Sequence, residues 1–420
     1  MGEYKGRVLL DTNILMGTKN VSQLFEAFEG AKLSVTIGTL MELDRLKTAE
    51  GQRGFEARSA LRILRAFPHM ITVYDTKNPE RMTYDQSTVD GDLIYAAKTN
   101  EDITVITNDL SLESMADANG VYTSTFFEKT NSYRKGYTVY DWDELGIGRT
   151  SEEKRAEIYK NLSSIPRDEV RTGEYAVIRV FGVVEMYFCR RKDGSFEPVR
   201  ECPISSTLLG KYHPKKGDIA QMVAFDMLGK KDISLLTGPA GSGKTLLALA
   251  KQFEMLDTGK IGRITIFVNP EKASGAKSLG FYKGDRNQKL MQESIGGILA
   301  SKIGDRDTVE QMVEDGLIEI MPVSDIRGYE VPEFSSLYIT EAQNLDRELM
   351  KLAIQRAGEG VKVFIEGDPT TQLDSWRYEG DNNGMLSLIE TFSGSDYFGN
   401  VNLETIYRSP VAELAEFLSK

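Results

Sequence analysis

Cysteine and histidine are scarce in this 420-residue chain, which contains two of each. The two cysteines, Cys189 and Cys202, are too few for a disulfide framework or a cysteine-rich zinc site, so we expect a reduced, cytoplasmic protein. Neither histidine has a metal-ligand neighbour in the sequence. Long apolar runs are also missing, which argues against a membrane span, and the first residues lack the apolar core of a signal peptide.

Basic side chains are also fewer than acidic ones, and the formal net charge is −12 at pH 7. An acidic protein is poorly suited to binding polyanions over its whole surface. Only residues 151–217 carry more basic than acidic side chains. Because phosphate affinity depends on cations arranged along a track, any nucleic-acid contact is expected to be local.

A glycine-rich segment in the second half of the chain is the strongest motif. It fits the P-loop pattern G-x-x-x-x-G-K-[ST], with an apolar predicted strand before it and a predicted helix after it. In such a loop, backbone N–H groups surround the phosphates of ATP, Lys244 contacts the outer phosphates and Thr245 faces Mg²⁺. A chance match in a glycine-rich turn is the alternative, which the flanking strand and helix disfavour. The predicted nucleotide-binding residues are Gly238, Pro239, Ala240, Gly241, Ser242, Gly243, Lys244 and Thr245.

Strand and helix signals alternate through most of the chain, which predicts an α/β fold. Residues 1–149 are predicted to form a compact domain with a mainly parallel sheet. Residues 150–216 are predicted to form a connector that contains a β-hairpin and ends in a basic linker. Residues 217–420 are again α/β and contain the P-loop.

Four carboxylates in the first domain occupy positions where a site can form. Asp11 and Asp109 directly follow predicted strands, and such strand ends lie together in an open parallel sheet. Glu42 lies on the helix after another strand, and Asp90 lies at the start of a helix. Acids without histidine or thiolate suit a hard cation, Mg²⁺ or Mn²⁺, which can activate water and neutralise charge on a phosphodiester.

Each of these acids also has an ordinary structural explanation. Asp11 and Asp109 could begin turns, Glu42 could face solvent, and Asp90 or Asp92 could be a helix N-cap. The choice between the two explanations depends on the set as a whole.

Taken together, the four positions resemble the PIN-domain nucleases across roughly residues 5–130. The shared features are Asp-Thr-Asn after the first strand, an acid on the next helix, an acidic helix start and Thr-Asn-Asp after a late strand. The resemblance implies cleavage of single-stranded RNA by metal-activated water, with Asn13 and Thr107 beside the site. Spacing to the apolar residues 93–94 favours Asp90 over Asp92. The implied ligands of one or two metal ions are Asp11, Glu42, Asp90 and Asp109.

Further motifs follow the P-loop. Predicted strands lead into Thr340-Glu341-Ala-Gln343 and into Gly367-Asp368-Pro369, and Tyr407-Arg408 lies near the C-terminus. Together they resemble the PhoH-like ATPases, close to the superfamily-one helicase core, across most of residues 215–420. The resemblance implies a RecA-like P-loop domain. A PIN domain ahead of a PhoH-like ATPase is a known family, and the chain looks like a member of it.

Roles in the second domain can be assigned to single residues. Glu341 ends a buried strand near the phosphates, so it is the predicted base that orients the attacking water. Arg408 is predicted to stabilise charge on the transferred phosphoryl group, and Arg327 is a weaker candidate that could equally form a surface ion pair. The predicted γ-phosphate sensors are Gln343, Asp368 and Gln372. By resemblance only, Gln221 reads the adenine.

Two positions depart from the family pattern. The strand before Glu341 should end in Asp-Glu, but this chain has Thr340, and the missing carboxylate normally holds Mg²⁺ through water. We therefore expect weaker Mg²⁺ binding and slower turnover, with Asp368 or Glu341 compensating in part. Asn269 stands where related ATPases usually place arginine.

The leading hypothesis is an ATP-driven RNA helicase or translocase that feeds single strands to its own nuclease. Residues 272–289 mix cations with Phe281 and Tyr282, which suits stacking of unpaired bases but equally suits packing on the domain itself. By resemblance the ATPase domains form a homo-oligomeric ring, a hexamer, in which Arg408 reaches a neighbour's site. An ATP-gated nucleic-acid-binding protein with little nuclease turnover is the alternative, and a DNA-directed nuclease stays open.

Overall fold

The computed structural model describes residues 6–18, 21–49, 51–69, 71–74, 88–100, 102–126, 133–269, 294–370, 373, 378 and 380–407. The chain divides into two compact units, unit 1 (Met1–Ser132) and unit 2 (Tyr133–Lys420). Within the described ranges, no helix is long and apolar enough to cross a bilayer.

Unit 1 contains a parallel five-stranded sheet with the order β3-β2-β1-β4-β5. Its strands are β1 (Arg7–Leu10), β2 (Lys32–Thr36), β3 (Ile71–Tyr74), β4 (Ile103–Ile106) and β5 (Thr123–Ser124). Its helices are α1 (Thr12–Gly17), α2 (Val21–Ala27), α3 (Ile37–Leu46), α4 (Gln52–Ala66), α5 (Val89–Thr99) and α6 (Leu110–Ala118).

Helices cover both faces of the unit 1 sheet, as shown by the side chains of the central strand β1, which contribute alternately to two apolar clusters. Val8 and Leu10 belong to one apolar cluster and Leu9 to the other, and all three are fully buried. Successive side chains of a strand point to opposite faces, so a strand buried on both sides is apolar throughout. The predicted α/β domain with a parallel sheet is therefore confirmed.

Unit 2 contains a parallel six-stranded sheet with the order β14-β13-β15-β16-β12-β17. Its strands are β12 (Ile233–Thr237), β13 (Arg263–Val268), β14 (Ile318–Pro322), β15 (Ser335–Ile339), β16 (Lys362–Gly367) and β17 (Phe398–Asn402). The helices around it are α8 (Ile219–Lys230), α9 (Lys244–Asp257), α10 (Ser294–Ile303), α11 (Arg306–Glu314), α12 (Arg347–Ile354) and α13 (Gly384–Phe392).

A smaller sheet with the order β6-β7-β8-β9 precedes this one within unit 2. A tight turn at Phe181 and Gly182, which both have positive φ, joins β7 to β8 as the expected hairpin. The strands are β6 (Tyr137–Asp141), β7 (Tyr175–Val180), β8 (Val183–Arg190) and β9 (Phe196–Pro198). Helix α7 (Ser151–Leu162) lies between β6 and β7, and a separate hairpin of β10 (Ile204–Ser206) and β11 (Gly210–Tyr212) follows β9.

The boundary between the units differs from the predicted boundary after residue 149. Strand β6 lies ahead of that position, yet it pairs in parallel with β7, so residues 133–149 belong to unit 2. The connector is also not separate from the nucleotide-binding domain. Tyr175 and Ile204 share one apolar cluster with Phe225 and Phe253 on α8 and α9.

We expect Tyr175→Phe to destabilise unit 2. The Tyr175 side chain is 1% exposed, and its hydroxyl donates a 2.9 Å hydrogen bond to Oδ2 of Asp226 on α8. Losing a hydrogen bond to a charged group should cost about 1.5–3 kcal/mol of the free energy of unfolding, measured by urea denaturation. Tyr397→Phe is the matched control, because Tyr397 is 68% exposed. Equal effects of the two substitutions would contradict the proposed role of this contact.

Candidate active sites

Asp11 lies directly after β1 and is held by two hydrogen bonds. Its Oδ1 accepts from the N–H of Thr12 (2.6 Å), so it caps α1, and its Oδ2 accepts from the hydroxyl of Thr107 (2.7 Å). The residue is 5% exposed. The capping role and a functional role are therefore compatible, since the carboxylate is fixed at the end of the sheet.

The hydroxyl of Thr107 connects the ends of β1 and β4. Besides donating to Asp11, its oxygen accepts from Nδ2 of Asn13 (3.3 Å) and from the backbone N–H of Asp109 (3.0 Å). A hydroxyl has one donor and two acceptor positions, so all hydrogen-bonding positions of the Thr107 hydroxyl are occupied. The Asp109 side chain is exposed and caps α6 by accepting from the N–H of Ser111 (2.7 Å).

Glu42 and Asp90 are the half-buried members of the set. Glu42 lies on α3, and its nearest cation is the largely exposed Arg45, at 3.9 Å. Asp90 lies in the first turn of α5, but the N-cap of that helix is Thr88, which rules out the capping explanation. Oδ2 of Asp92 accepts from the backbone N–H of Gly38 (3.0 Å) at the start of α3 and so has a structural role.

The four predicted carboxylates act on one another electrostatically. Burial raises the pKa of Asp11 to about 6, the bonds from Thr107 and Thr12 oppose the rise, and the charges of Asp90 and Glu42 add to it. Burial also raises the pKa of Asp90, and Asp109 and Glu42 raise it further. Nevertheless, no three Asp, Glu, His or Cys side chains in the described parts of the chain are close enough together to hold a metal ion.

The P-loop connects β12 to α9, as the sequence predicts. Gly238 has a φ of +133°, and a Cβ there would lie 2.2 Å from the carbonyl oxygen of Leu403, so only glycine fits. The Lys244 amine donates to the carbonyl oxygens of Gly238 (2.6 Å) and Pro239 (2.9 Å). The buried hydroxyl of Ser242 has no hydrogen-bond partner among the residues described.

These features suit the phosphates of a nucleotide. The first turn of α9 directs unsatisfied backbone N–H groups outward, and the positive end of a helix favours anions. The loop is also tied to the C-terminal part of the chain, because the N–H of Tyr407 donates to the carbonyl oxygen of Gly241 (2.9 Å). Residues Ala240, Gly243 and Thr245 complete the loop in the predicted positions.

A network of polar side chains lies at the ends of β15 and β16. Glu341 adopts a left-handed backbone conformation (φ 49°), which is uncommon for a residue other than glycine and is often found at functional sites. Nε2 of Gln343 donates to Oε2 of Glu341 (2.6 Å), and Oε1 of Gln343 accepts from the N–H of Asp368 (3.2 Å). Oδ1 of Asp368 accepts from Thr370. The predicted base and two predicted sensors are thus brought together.

Other predicted residues lie elsewhere or outside the described ranges. Oε1 of Gln221 accepts from the backbone N–H of Lys215 (2.8 Å), so its amide is held beside the segment that leads into α8. Nδ2 of Asn269 donates to the carbonyl oxygen of Asn344 (2.6 Å). Arg327 is exposed. The predicted residues that lie outside the described part of the chain are Gln372, Arg408 and the basic segment 272–289.

Sequence reasoning missed Glu366, which is 3% exposed on β16. Its Oε1 accepts from the hydroxyls of Thr340 (2.8 Å) and Tyr338 (3.2 Å). Burial raises the pKa of Glu366, the charge of Glu341 raises it further, and the charge of Lys244 lowers it. The available signal was a glutamate that directly follows the apolar residues 363–365 of a predicted strand.

The fold and the two sites define a P-loop nucleotide-binding protein with a PIN-type nuclease domain ahead of it. The family model described as PhoH-like protein matches residues 215–418, and the PIN domain model matches residues 8–126. A PhoH-like protein of Bacillus subtilis is 30% identical over 54% of this chain and 70% of its own length. The chain belongs to the PhoH-like family and joins a PIN domain to the PhoH-like domain.

Two further matches extend the comparison. Protein PhoH2 of Bacillus subtilis is 26% identical and aligns with 97% of this chain and 98% of its own length. A solved structure of the PIN domain endonuclease Utp24 aligns with 29% of this chain and 86% of its own, with 20% identity and a TM-score of 0.22.

We expect Asp11→Asn to stabilise unit 1 at neutral pH in EDTA. The pKa of Asp11 is raised from 3.8 to about 6 in the folded protein, so ionisation costs roughly 2–3 kcal/mol of stability. The stabilisation that the bound proton gives the folded state is complete below pH 4 and is lost as the pH rises through 6. Asparagine can keep the cap without the charge. The gain should therefore appear at pH 7–8 and vanish near pH 4 in thermal unfolding.

The exposed Asp117→Asn, on α6, is the control for this experiment. It should leave the pH dependence of the melting temperature unchanged. A gain in Asp11→Asn that is equally large at pH 4 and pH 8 would show that the carboxylate charge is not the cause.

We expect Gly367→Ala to disrupt the network beside Glu341. A Cβ at this position would lie 2.2 Å from Oε1 of Gln343 and 2.9 Å from Sδ of Met385, which overpacks a buried site and should cost about 1–3 kcal/mol. Gly297→Ala on α10 meets open space and should be neutral or stabilise by up to about 1 kcal/mol. Urea unfolding compares the two, and a neutral Gly367→Ala would contradict the packing argument.

Proposed function

We propose that the protein hydrolyses ATP to move single-stranded RNA and cleaves that RNA in its PIN domain. The observation that carries the proposal is the P-loop of unit 2, whose lysine and threonine begin α9 after β12, in a domain whose sheet also places Glu341, Gln343 and Asp368 at adjacent strand ends. The four-carboxylate cluster on the same chain supplies the second activity.

In the ATPase site, the protein's own residues orient the water and the phosphates. Gln343 holds Glu341 by one carboxylate oxygen, which leaves the other free to accept a proton from the attacking water. Lys244 exchanges the carbonyl oxygens of Gly238 and Pro239 for phosphate oxygens when ATP binds. Mg²⁺ bound at Thr245 would neutralise phosphate charge. Arg408 would act as the arginine finger.

In the nuclease site, Asp11 is the fixed residue, and the charges of Asp90 and Glu42 act on it. Carboxylates that raise one another's pKa repel, and a divalent cation would relieve that repulsion, which supports Mg²⁺ or Mn²⁺ as the bound ion. With fewer than three acids in ligating positions, water molecules would complete the coordination. Such an ion would supply activated water and neutralise charge on the phosphodiester. Hydrogen bonds from the hydroxyl of Thr107 and from the N–H of Thr12 fix the orientation of the two Asp11 carboxylate oxygens.

The assembly is part of the same proposal. By the family resemblance, the ATPase domains form a homo-oligomeric ring of six copies in which Arg408 completes a neighbouring site. An ATP-gated nucleic-acid-binding protein with weak or absent nuclease activity is the second candidate. No three described acids of unit 1 are close enough together to hold a metal ion, which favours this second candidate. The threonine at position 340 also favours it, because the carboxylate that normally holds Mg²⁺ is missing there.

The decisive experiment uses end-labelled single-stranded RNA with Mg²⁺ or Mn²⁺, with and without ATP. Asp11→Asn should lose cleavage by about a hundredfold or more while keeping ATP hydrolysis, since a metal-held water is lost. Lys244→Ala should lose ATP hydrolysis and cleave slowly or independently of ATP. Asp117→Asn is the control. A single-stranded DNA substrate run in parallel tests the preference for RNA.

Intact RNA in every reaction, together with RNA-stimulated ATP hydrolysis, would reject the nuclease and support the ATP-gated binder. Cleavage that persists in Asp11→Asn would remove this carboxylate from the nuclease site. Sedimentation of the wild type with ATP tests the ring.

A further inference from the structure

Glu366 is a buried carboxylate that the proposed mechanism does not use. It lies beside Thr340, because β15 and β16 pair in parallel with Ile339 opposite Ile365. Its Oε1 accepts hydrogen bonds from the hydroxyls of Thr340 (2.8 Å) and Tyr338 (3.2 Å).

Among the described residues, no lysine or arginine forms an ion pair with the Glu366 carboxylate, although the charge of Lys244 acts on it electrostatically. Burying a carboxylate is costly unless it is paired or coordinates a metal, and two neutral donors compensate only part of that cost. A nearby divalent cation would compensate the rest.

The position of Glu366 relative to the P-loop fits such a cation. Glu366 is paired with Leu236 in the β12–β16 ladder, just before β12 enters the loop. The Tyr338 hydroxyl donates to Oε1 of Glu366 (3.2 Å), and the side chain of Thr245, the residue that faces Mg²⁺ in a P-loop, acts on the pKa of Tyr338. Glu366 and the predicted metal ligand are therefore both neighbours of one hydroxyl.

Each of the two carboxylates that the sequence offered as substitutes uses one oxygen for another hydrogen bond. Oε2 of Glu341 accepts from Gln343, and Oδ1 of Asp368 accepts from Thr370. Thr340 itself directs its hydroxyl hydrogen at Glu366. The negative charge that is absent at position 340 is thus present on the adjacent strand, in direct contact with the threonine.

We propose that Glu366 is the carboxylate that positions the Mg²⁺ of bound nucleotide, in place of an aspartate at position 340. The inference rests on the proposed ATPase function and deepens it. Glu366 is a positioning residue that would hold the hydrated ion through water. Thr340 is then the hydrogen-bond donor that orients this carboxylate.

The test measures binding of a fluorescent ADP analogue to the full-length protein as Mg²⁺ is titrated from an EDTA solution. Glu366→Gln should raise the Mg²⁺ concentration for half-maximal tightening about tenfold or more, as loss of an outer-sphere partner does. Its affinity for the analogue in EDTA should be unchanged. Glu333→Gln is the control, because this exposed glutamate of the same unit should keep the wild-type Mg²⁺ titration.

The double substitution Thr340→Asp with Glu366→Thr places the carboxylate at the end of β15 instead of on β16. It should restore the Mg²⁺ titration to within about threefold of wild type, which a merely structural role of Glu366 would not predict. Melting temperatures establish that each variant is folded, and if one variant fails to fold the other decides.

The outcomes separate the two proposals. A wild-type titration for Glu366→Gln, or a folded double variant that still needs excess Mg²⁺, overturns the role of Glu366 alone. A wild-type protein that binds no nucleotide at any Mg²⁺ concentration overturns the ATPase function and this inference with it.

Discussion

Parallel pairing of buried strands is the constraint on which both sites depend. In unit 1 it brings the ends of β1 and β4 together, so that one hydroxyl, that of Thr107, contacts Asp11, Asn13 and the backbone of Asp109. In unit 2 it brings β15 and β16 side by side, so that Gln343 can span from Glu341 to Asp368. Polar side chains at such ends are held by strands that are largely buried.

The two sites differ in how they balance their charge. The carboxylates of unit 1 repel one another, and within the described residues the only ion pair that any of the four forms is that of Glu42 with the exposed Arg45. In unit 2, hydroxyls and amides surround the acids, and Lys244 contributes a positive charge near Glu366. The first site is therefore unfavourable to the fold without a bound cation, whereas much of the second is satisfied by the protein itself.

Local patterns predicted the features that depend on neighbouring residues in the sequence. The P-loop between β12 and α9, the strand before Asp11 and the β7–β8 hairpin each follow from a short run of residues. The pairing of β6 with β7 and the contact of Thr340 with Glu366 were not predicted. Both depend on strand register across long sequence separations, which the run of residues around either partner does not encode.

The shared core of unit 2 has a consequence for the order in which the chain can fold during synthesis. Tyr175 cannot be buried until α8 and α9 have been made, and β12 lacks one of its two neighbours until β17, residues 398–402, has left the ribosome. Unit 1, by contrast, completes its sheet with β5, at residue 124. Because long-range pairing is slow and leaves apolar surface exposed, the nascent second unit is the part of this protein that most needs protection by chaperones.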